Sequence, residues 1–336
     1  MSRPVPTIPP SFTASGHVRL RLLAVLVTVL WSSSWVLIRK LLDDGDRIPP
    51  LTFAGLRYGL AAVALGAWIA LRGPVRAPAP LRSLGAGGLA AIAGLGVVQF
   101  AITQGAQFVA IDNQPAATTN LLLAATPLLV AAAGTIIGEP MTRRQLIAGA
   151  AIIAGSLIYF TGDLGFTAIG LAAALIGLGA NAASALYGRA VNRSTHLDAW
   201  RLTATTMSVG AAVLVVAGLM IDGVPRVSLT AAAVVAWLAV VNTALAFTWW
   251  NICLRRLGAA EMAAINTLMS VQIPVLAWIF LDEAIGVSEA VGITIVAGAV
   301  ASVAMRRGRE ADAVTERQAS RTPVTSPSGS GHQPVR

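Results

Sequence analysis

Pro127-Leu-Leu-Val, Gly138-Glu139 and Gly149-Ala-Ala-Ile-Ile-Ala-Gly155 follow one another near the middle of the chain. Pro274-Val-Leu-Ala, Asp282-Glu283 and Gly292-Ile-Thr-Ile-Val-Ala-Gly298 follow one another in the same order near its end. Each set is a proline-bearing apolar run, an acidic turn, and a second apolar run holding two glycines at the same separation. Drift of Ala- and Gly-rich helices toward similar text accounts for one such run. It does not account for an acidic turn and a glycine pair recurring in order. The two halves read as copies of one unit, offset by roughly 145 residues.

Outward from these copies the same hydrophobic texture continues. Apolar runs occupy about 20–41, 51–71, 84–109, 116–137, 145–160, 166–187, 200–221, 229–252, 259–280 and 285–305. Crossing the hydrocarbon of a bilayer takes about 20 helical residues. Backbone polar groups in lipid must be satisfied within the segment, so each run predicts a helix. Hydrophobic residues make up 56% of the chain and charged ones 12%, about half the charged share of a soluble domain, which excludes an ordinary soluble enzyme. Five spans per half is an odd number, so the second copy must enter the membrane from the opposite side. The expected fold is an all-α integral membrane protein with ten transmembrane helices arranged as two inverted five-helix repeats, 20–161 and 162–306. Tails at 1–19 and 307–336, rich in Pro, Ser, Thr and charge, are expected to be disordered. The first run leads straight into further spans and is expected to be retained, not cleaved as a signal peptide.

The net charge of +9 is a topology signal and does not predict nucleic-acid binding. Arg gathers in alternate turns: Arg72, Arg76 and Arg82; Arg143 and Arg144; Arg189, Arg193 and Arg201; Arg255 and Arg256. The turns at Asp112, Asp163 and Asp282 carry no adjacent base, and the exceptions are Arg39, Lys40, Arg47 and Arg226. Positive turns stay on the cytoplasmic side. Both termini are therefore expected in the cytoplasm of a multi-pass protein of the cell (inner) membrane. Cys253 stands alone, at the end of an apolar run, and reads as packing.

Three motifs carry a family resemblance: Trp31-Ser-Ser-Ser-Trp35 in the first run, Arg57 within Phe53-Ala-Gly-Leu-Arg57-Tyr in the second, and the pair Glu139 and Glu283 before the last helix of each half. From 20 to 305 the chain resembles the EamA family of the drug/metabolite transporter superfamily. Ser32 stands where that family commonly has Gly. The resemblance implies a secondary transporter of small polar metabolites or drugs, an exporter or exchanger working by alternating access. It implies no substrate identity.

Polar side chains are sparse in the spans, and their spacing groups them by face. Gln99, Thr103 and Gln107 recur every fourth residue. Asn242 and Trp249 are seven apart. Asn266, Ser270 and Pro274 form a stripe with Gln272 beside it. Asn181 and Ser184, Asn120 and Pro127, and Trp31, Ser34 and Trp35 complete the set. The expected solute cavity is Trp31, Ser34, Gln99, Thr103, Asn120, Asn181, Asn242, Trp249, Asn266 and Gln272. Each of these residues has an equally plain reading as a hydrogen bond between helices. Arg57, about two turns inside its span, reads either as snorkelling to the surface or as a gating or anion-binding group. Pro127 and Pro274 remove backbone donors within their spans and are candidate hinges. Glu139 and Glu283 are expected to cap the helix that follows each.

An intramembrane enzyme lacks support, because His17, His196 and His332 lie in tails or a loop and the aspartates lie in turns. No catalytic residue, metal site or cofactor is assigned. The expected partners are a small-molecule substrate and the lipid bilayer. A channel or a non-transporting scaffold stays open as the alternative, as does coupling to a proton or a counter-substrate. The sequence sets no oligomeric state.

Overall fold

The computed structural model describes residues 14–43, 48–72, 84–136, 142–159, 167–194, 199–254, 257, 262, 265–266 and 268–302. Both expected tails beyond these limits, the turn at Glu139, and the turns at Asp163 and Arg255–Arg256 lie outside the described residues. The helices are α1 (Ala14–Asp43), α2 (Pro50–Arg72), α3 (Gly85–Asn113), α4 in two pieces (Ala116–Leu123 and Thr126–Ile136), α5 (Arg143–Tyr159), α6 (Ala168–Ser194), α7 (Ala199–Asp222), α8 (229–254), α9 (Met269–Leu281) and α10 (Val287–Ser302). No strand occurs among the described residues. Among the described residues seven helices are long and apolar enough to cross a membrane, which makes this an integral membrane protein. With three shorter apolar helices beside them, the helices of the described residues are ten, of which seven have the length of a full span. The fifth, ninth and tenth apolar helices, Leu146–Tyr159, Met269–Leu281 and Val287–Ser302, are shorter than a full span.

Local chemistry sets several helix ends. Pro50 takes the first position of α2, where a missing N–H costs nothing. Ser228 caps α8 by accepting from Ala231 N at 3.1 Å. Asp282 ends α9 in the left-handed region at φ 54°, a conformation that a short polar side chain tolerates. The C-terminal carbonyls of α3 are held by α1: Arg39 Nη1 donates to Ile111 O and Asp112 O, while its Nε pairs with Asp43 at 2.9 Å. A cation suits the negative end of a helix. Arg39, an exception in the charge pattern, thus has a structural task.

Of the two prolines, Pro127 departs from the expected mid-helix position and Pro274 keeps it. The fourth span breaks at Ala124–Ala125, and Pro127 sits in the first turn of the piece that restarts at Thr126. A proline there sacrifices no hydrogen bond. Pro274 lies well inside α9 and is buried. The restarts at Thr126 and Met269 are 143 residues apart, and Gly149 and Gly292 share that offset. In that register Pro274 matches Ala131, not Pro127.

Glu283 also departs from expectation. Its carboxylate caps not the following α10 but the start of α4 in the other half, accepting from Ala116 N at 2.8 Å and Ala117 N at 3.2 Å. Pro115, the residue before α4, provides no side-chain cap. A carboxylate from the second half therefore satisfies two donors that the first half leaves open. The repeated glycines have a packing role. A Cβ on Gly292 would fall 2.6 Å from Gly155 O, and one on Gly155 would fall 3.0 Å from Gly292 O. α5 and α10 therefore cross backbone to backbone, which bulkier residues would prevent.

Two helices depart from α geometry in the middle. Val97–Ile102 in α3 and Val240–Leu245 in α8 are six-residue π-turns whose starts are 143 residues apart. Such turns are uncommon and recur at functional sites. The side chains around them form the candidate site.

Candidate solute site at the π-turn of α8

The α8 turn presents Asn242 and Thr243, both fully buried, to different neighbours. Asn242 Nδ2 donates to Leu30 O at 2.5 Å and to Ser33 Oγ at 3.2 Å, both on α1. Thr243 Oγ1 donates to Leu238 O, five residues back, at 2.9 Å. That reach is natural in a turn whose ladder runs i to i+5. The same Oγ1 accepts from Arg57 Nε on α2 at 3.1 Å. One widened turn therefore joins the first two helices of the first half to the second half.

On the other side of α1 a second polar chain runs to α9. Ser32 Oγ donates to Gln272 Oε1 at 2.9 Å, and Gln272 Nε2 donates to Thr28 Oγ1 at 3.2 Å. Next to it Trp31 packs against Phe247 and Trp250, with ring centroids at 5.2 and 5.0 Å. Sequence reasoning chose Trp249 as the ring facing this site. The tertiary structure puts Trp250 there, and Trp249 is half-buried with no ring contact among the described residues.

The remaining expected residues are spread more widely. Asn120 Nδ2 donates to Ser270 O on α9 at 3.4 Å, a long bond. Asn181 Nδ2 donates to Thr126 Oγ1 at 3.3 Å, joining α6 to the restart of α4. Ser34 Oγ donates to Trp31 O on its own helix. Thr103 Oγ1 donates to Val98 O at 2.8 Å, the α3 counterpart of the Thr243 bond. Gln99 is half-buried and makes no side-chain hydrogen bond among the described residues, and Asn266 is exposed. Asn242, Gln272, Asn120 and Asn181 thus all bond another helix, whereas Gln99, Trp249 and Asn266 do not. An apolar pocket lined by Pro127, Leu128, Ala131, Ala148, Gly149, Ile152 and Val300 lies between α4, α5 and α10. It contains no polar side chain, so it has nothing with which to orient a polar solute.

Arg57 does not snorkel. It is 5% exposed, and its guanidinium lies 5.3 Å from the Tyr58 ring and 6.0 Å from the Phe108 ring. Tyr58 OH is fixed in turn by donating to Gln104 Oε1 at 2.6 Å. Arginine at the centre of a spanning helix costs about 2.5–3.5 kcal/mol on insertion scales. A ring contact returns about 0.5–1 kcal/mol at exposed sites and about 2 kcal/mol or more when desolvated. Tyr58, Gln104, Thr243, Trp250, Thr28 and Ser32 were not among the expected site residues. All but Thr28 are adjacent to residues that were, since Thr243 follows Asn242 and Gln104 follows Thr103, and that adjacency was their sequence signal.

Among the described residues, the buried side-chain oxygens Thr52 Oγ1, Gln114 Oε1 and Asn242 Oδ1 have no hydrogen-bond partner. Among the described residues no group of three His, Cys, Asp or Glu side chains gathers to hold a metal. What the site has is a lone guanidinium, amides, hydroxyls and indoles. These are groups that bind a polar solute by hydrogen bonds and stacking.

An all-helical membrane protein with two sequence copies, and with its polar groups gathered where the copies meet, has the make-up of a carrier. The chain belongs to the EamA-like transporter family, whose model matches residues 20–161 and again 169–305. Among solved structures, one titled simply as the crystal structure of a protein is similar over 89% of this chain and all of its own length. Its TM-score is 0.57 at 15% identity, a likeness of fold alone. No curated protein matches the chain.

Proposed function

We propose that this protein is a secondary transporter of small polar solutes across the cell membrane. It works by alternating access between two inverted five-helix halves with ten membrane helices in all and both termini cytoplasmic. The observation that carries this reading is the α8 π-turn. It contributes Asn242 and Thr243 to helices of the other half, at mid-helix, among the few polar groups of an apolar bundle. Family membership supports the transport class. The Arg-rich turns support the orientation. Export or exchange is the direction we assign, as the family resemblance implies.

The neutral donors and acceptors hold a polar molecule without a fixed charge at every contact, so release stays fast. Trp31, Phe247 and Trp250 give the site a flat apolar wall. The purified protein in proteoliposomes, offered a panel of labelled metabolites and drugs, should show saturable, temperature-dependent flux and counterflow for at least one of them. Flux that is linear in concentration without counterflow would indicate a channel. No flux across the whole panel would favour a scaffold.

A further inference from the structure

Arg57 is the only charged side chain in the buried interior among the described residues. One of its three nitrogens has a partner, Nε with Thr243. Its terminal nitrogens have no hydrogen-bond acceptor and no carboxylate within reach among the described residues. They are not sealed in either. The sealed side-chain atoms without partners are Thr52 Oγ1, Gln114 Oε1 and Asn242 Oδ1, and no Arg57 nitrogen is one of them. The small exposure left to Arg57 therefore reaches its guanidinium edge. The carboxylates of Asp43 and Glu283 have partners of their own, Arg39 and the start of α4. The Thr243 bond holds Nε, and the Tyr58 and Phe108 rings lie 5.3 and 6.0 Å from the guanidinium carbon. What remains is an oriented fork that matches a carboxylate with two parallel hydrogen bonds.

We propose that Arg57 is the anion-recognition group of this transporter and that its solute carries one carboxylate, held by the two terminal nitrogens of Arg57. The inference rests on the transport reading above and adds a substrate class to it. Charge balance selects a monoanion. A single buried guanidinium neutralises one carboxylate, whereas a phosphate or phosphonate dianion would keep a surplus charge in a low-dielectric interior.

The test uses the wild-type protein in nanodiscs of zwitterionic lipid. Calorimetry compares matched pairs: acetate with acetamide, butyrate with butyramide, and 3-phenylpropanoate with 3-phenylpropanamide, with phenylphosphonate held well above its second pKa so that it is a dianion. The expected result is at least one carboxylate bound about tenfold or more tighter than its amide, the scale of a hydrogen bond to a charged group. Phenylphosphonate should bind more weakly than 3-phenylpropanoate. Arg57→Lys should lose about tenfold for the carboxylate, and Arg57→Gln should lose the preference over the amide. The matched pairs need no variant, so misfolding of Arg57→Gln leaves the test intact. Equal affinities within every pair, no binding of any carboxylate, or tighter binding of the dianion overturns the proposal. Flux in proteoliposomes is scored separately. Saturable flux of amides without preference for carboxylates removes the Arg57 role and leaves the transporter standing. Carboxylate binding without flux of any kind upholds the recognition role and removes the transporter.

Discussion

The two π-turns, Val97–Ile102 in α3 and Val240–Leu245 in α8, have equal length and hold a similar place in their halves, yet their surroundings differ. The α3 turn is covered by backbone. A Cβ on Gly96 would meet Thr206 O at 2.5 Å, and one on Gly210 would meet Gly96 O at 2.5 Å and crowd Phe100. α7 therefore packs closely against the start of the turn, where Gly96 and Gly210 leave no room for a Cβ. The α8 turn is surrounded by side chains instead, with Asn242 bonding α1 and Thr243 bonding Arg57. The same distortion serves close packing in one half and side-chain hydrogen bonding between helices in the other. A repeat that begins as two copies can thus put its site nearer one of them, because a widened turn needs some neighbour to fill it and leaves open which kind.

The sharpest way to break this comparison is to fill the gap at the α3 turn. Gly210→Val should cost about 3 kcal/mol, since backbone on α3 cannot retreat like a flexible side chain. Thermal unfolding in detergent, followed by size-exclusion chromatography, would show it. An unchanged melting point would mean that the helices are not in close contact there. Next in size is Asn242→Ala, which removes the amide that donates to Leu30 O and Ser33 Oγ and leaves only the local bond from Ser33 Oγ to Leu30 O. It should cost about 1–2 kcal/mol, at the upper end for a polar contact between membrane helices. If stability holds while transport falls, Asn242 touches the solute and not α1.

The two threonines offer a matched pair of smaller effects. Thr243→Val removes the acceptor for Arg57 and should cost about 1 kcal/mol. Thr103→Val loses only a bond within its own helix and should cost about 0.5 kcal/mol or less. Equal losses in a side-by-side denaturation series would erase the asymmetry between the turns. The smallest change in stability is expected for Gln99→Ala, within about 0.5 kcal/mol, since its amide bonds no other helix. A large drop in its melting temperature would reveal a missed helix partner. A drop confined to transport would add Gln99 to the solute site.

Parts of the site were legible in the text and parts were not, for identifiable reasons. Asn242 and Gln272 stood out because an amide in an apolar run is rare, and both do sit where helices from the two halves meet. The choice of Trp249 over Trp250 assumed 3.6 residues per turn along α8. The π-turn inserted upstream rotates every later residue, so a helical face read through it lands on the wrong ring. Arg57 was visible as an anomaly, but its direction was not. Its stem is long enough to reach water or to turn inward, and contacts from Tyr58, Phe108 and Thr243 decide between them.

The sequence by itself determined that the chain is helical, that it belongs in a membrane, and that it contains two copies of one unit. Hydropathy and helix formation in lipid depend on each segment's own residues, and so they survive without knowledge of the neighbours. Only the tertiary structure decided that Glu283 caps α4 and not α10, that α4 restarts before Pro127, and that α3 and α8 widen mid-helix. Each of these is a hydrogen bond or a close approach between segments far apart in the chain. Which distant group satisfies a free donor is set by where the helices pack, and no local pattern of residues encodes that.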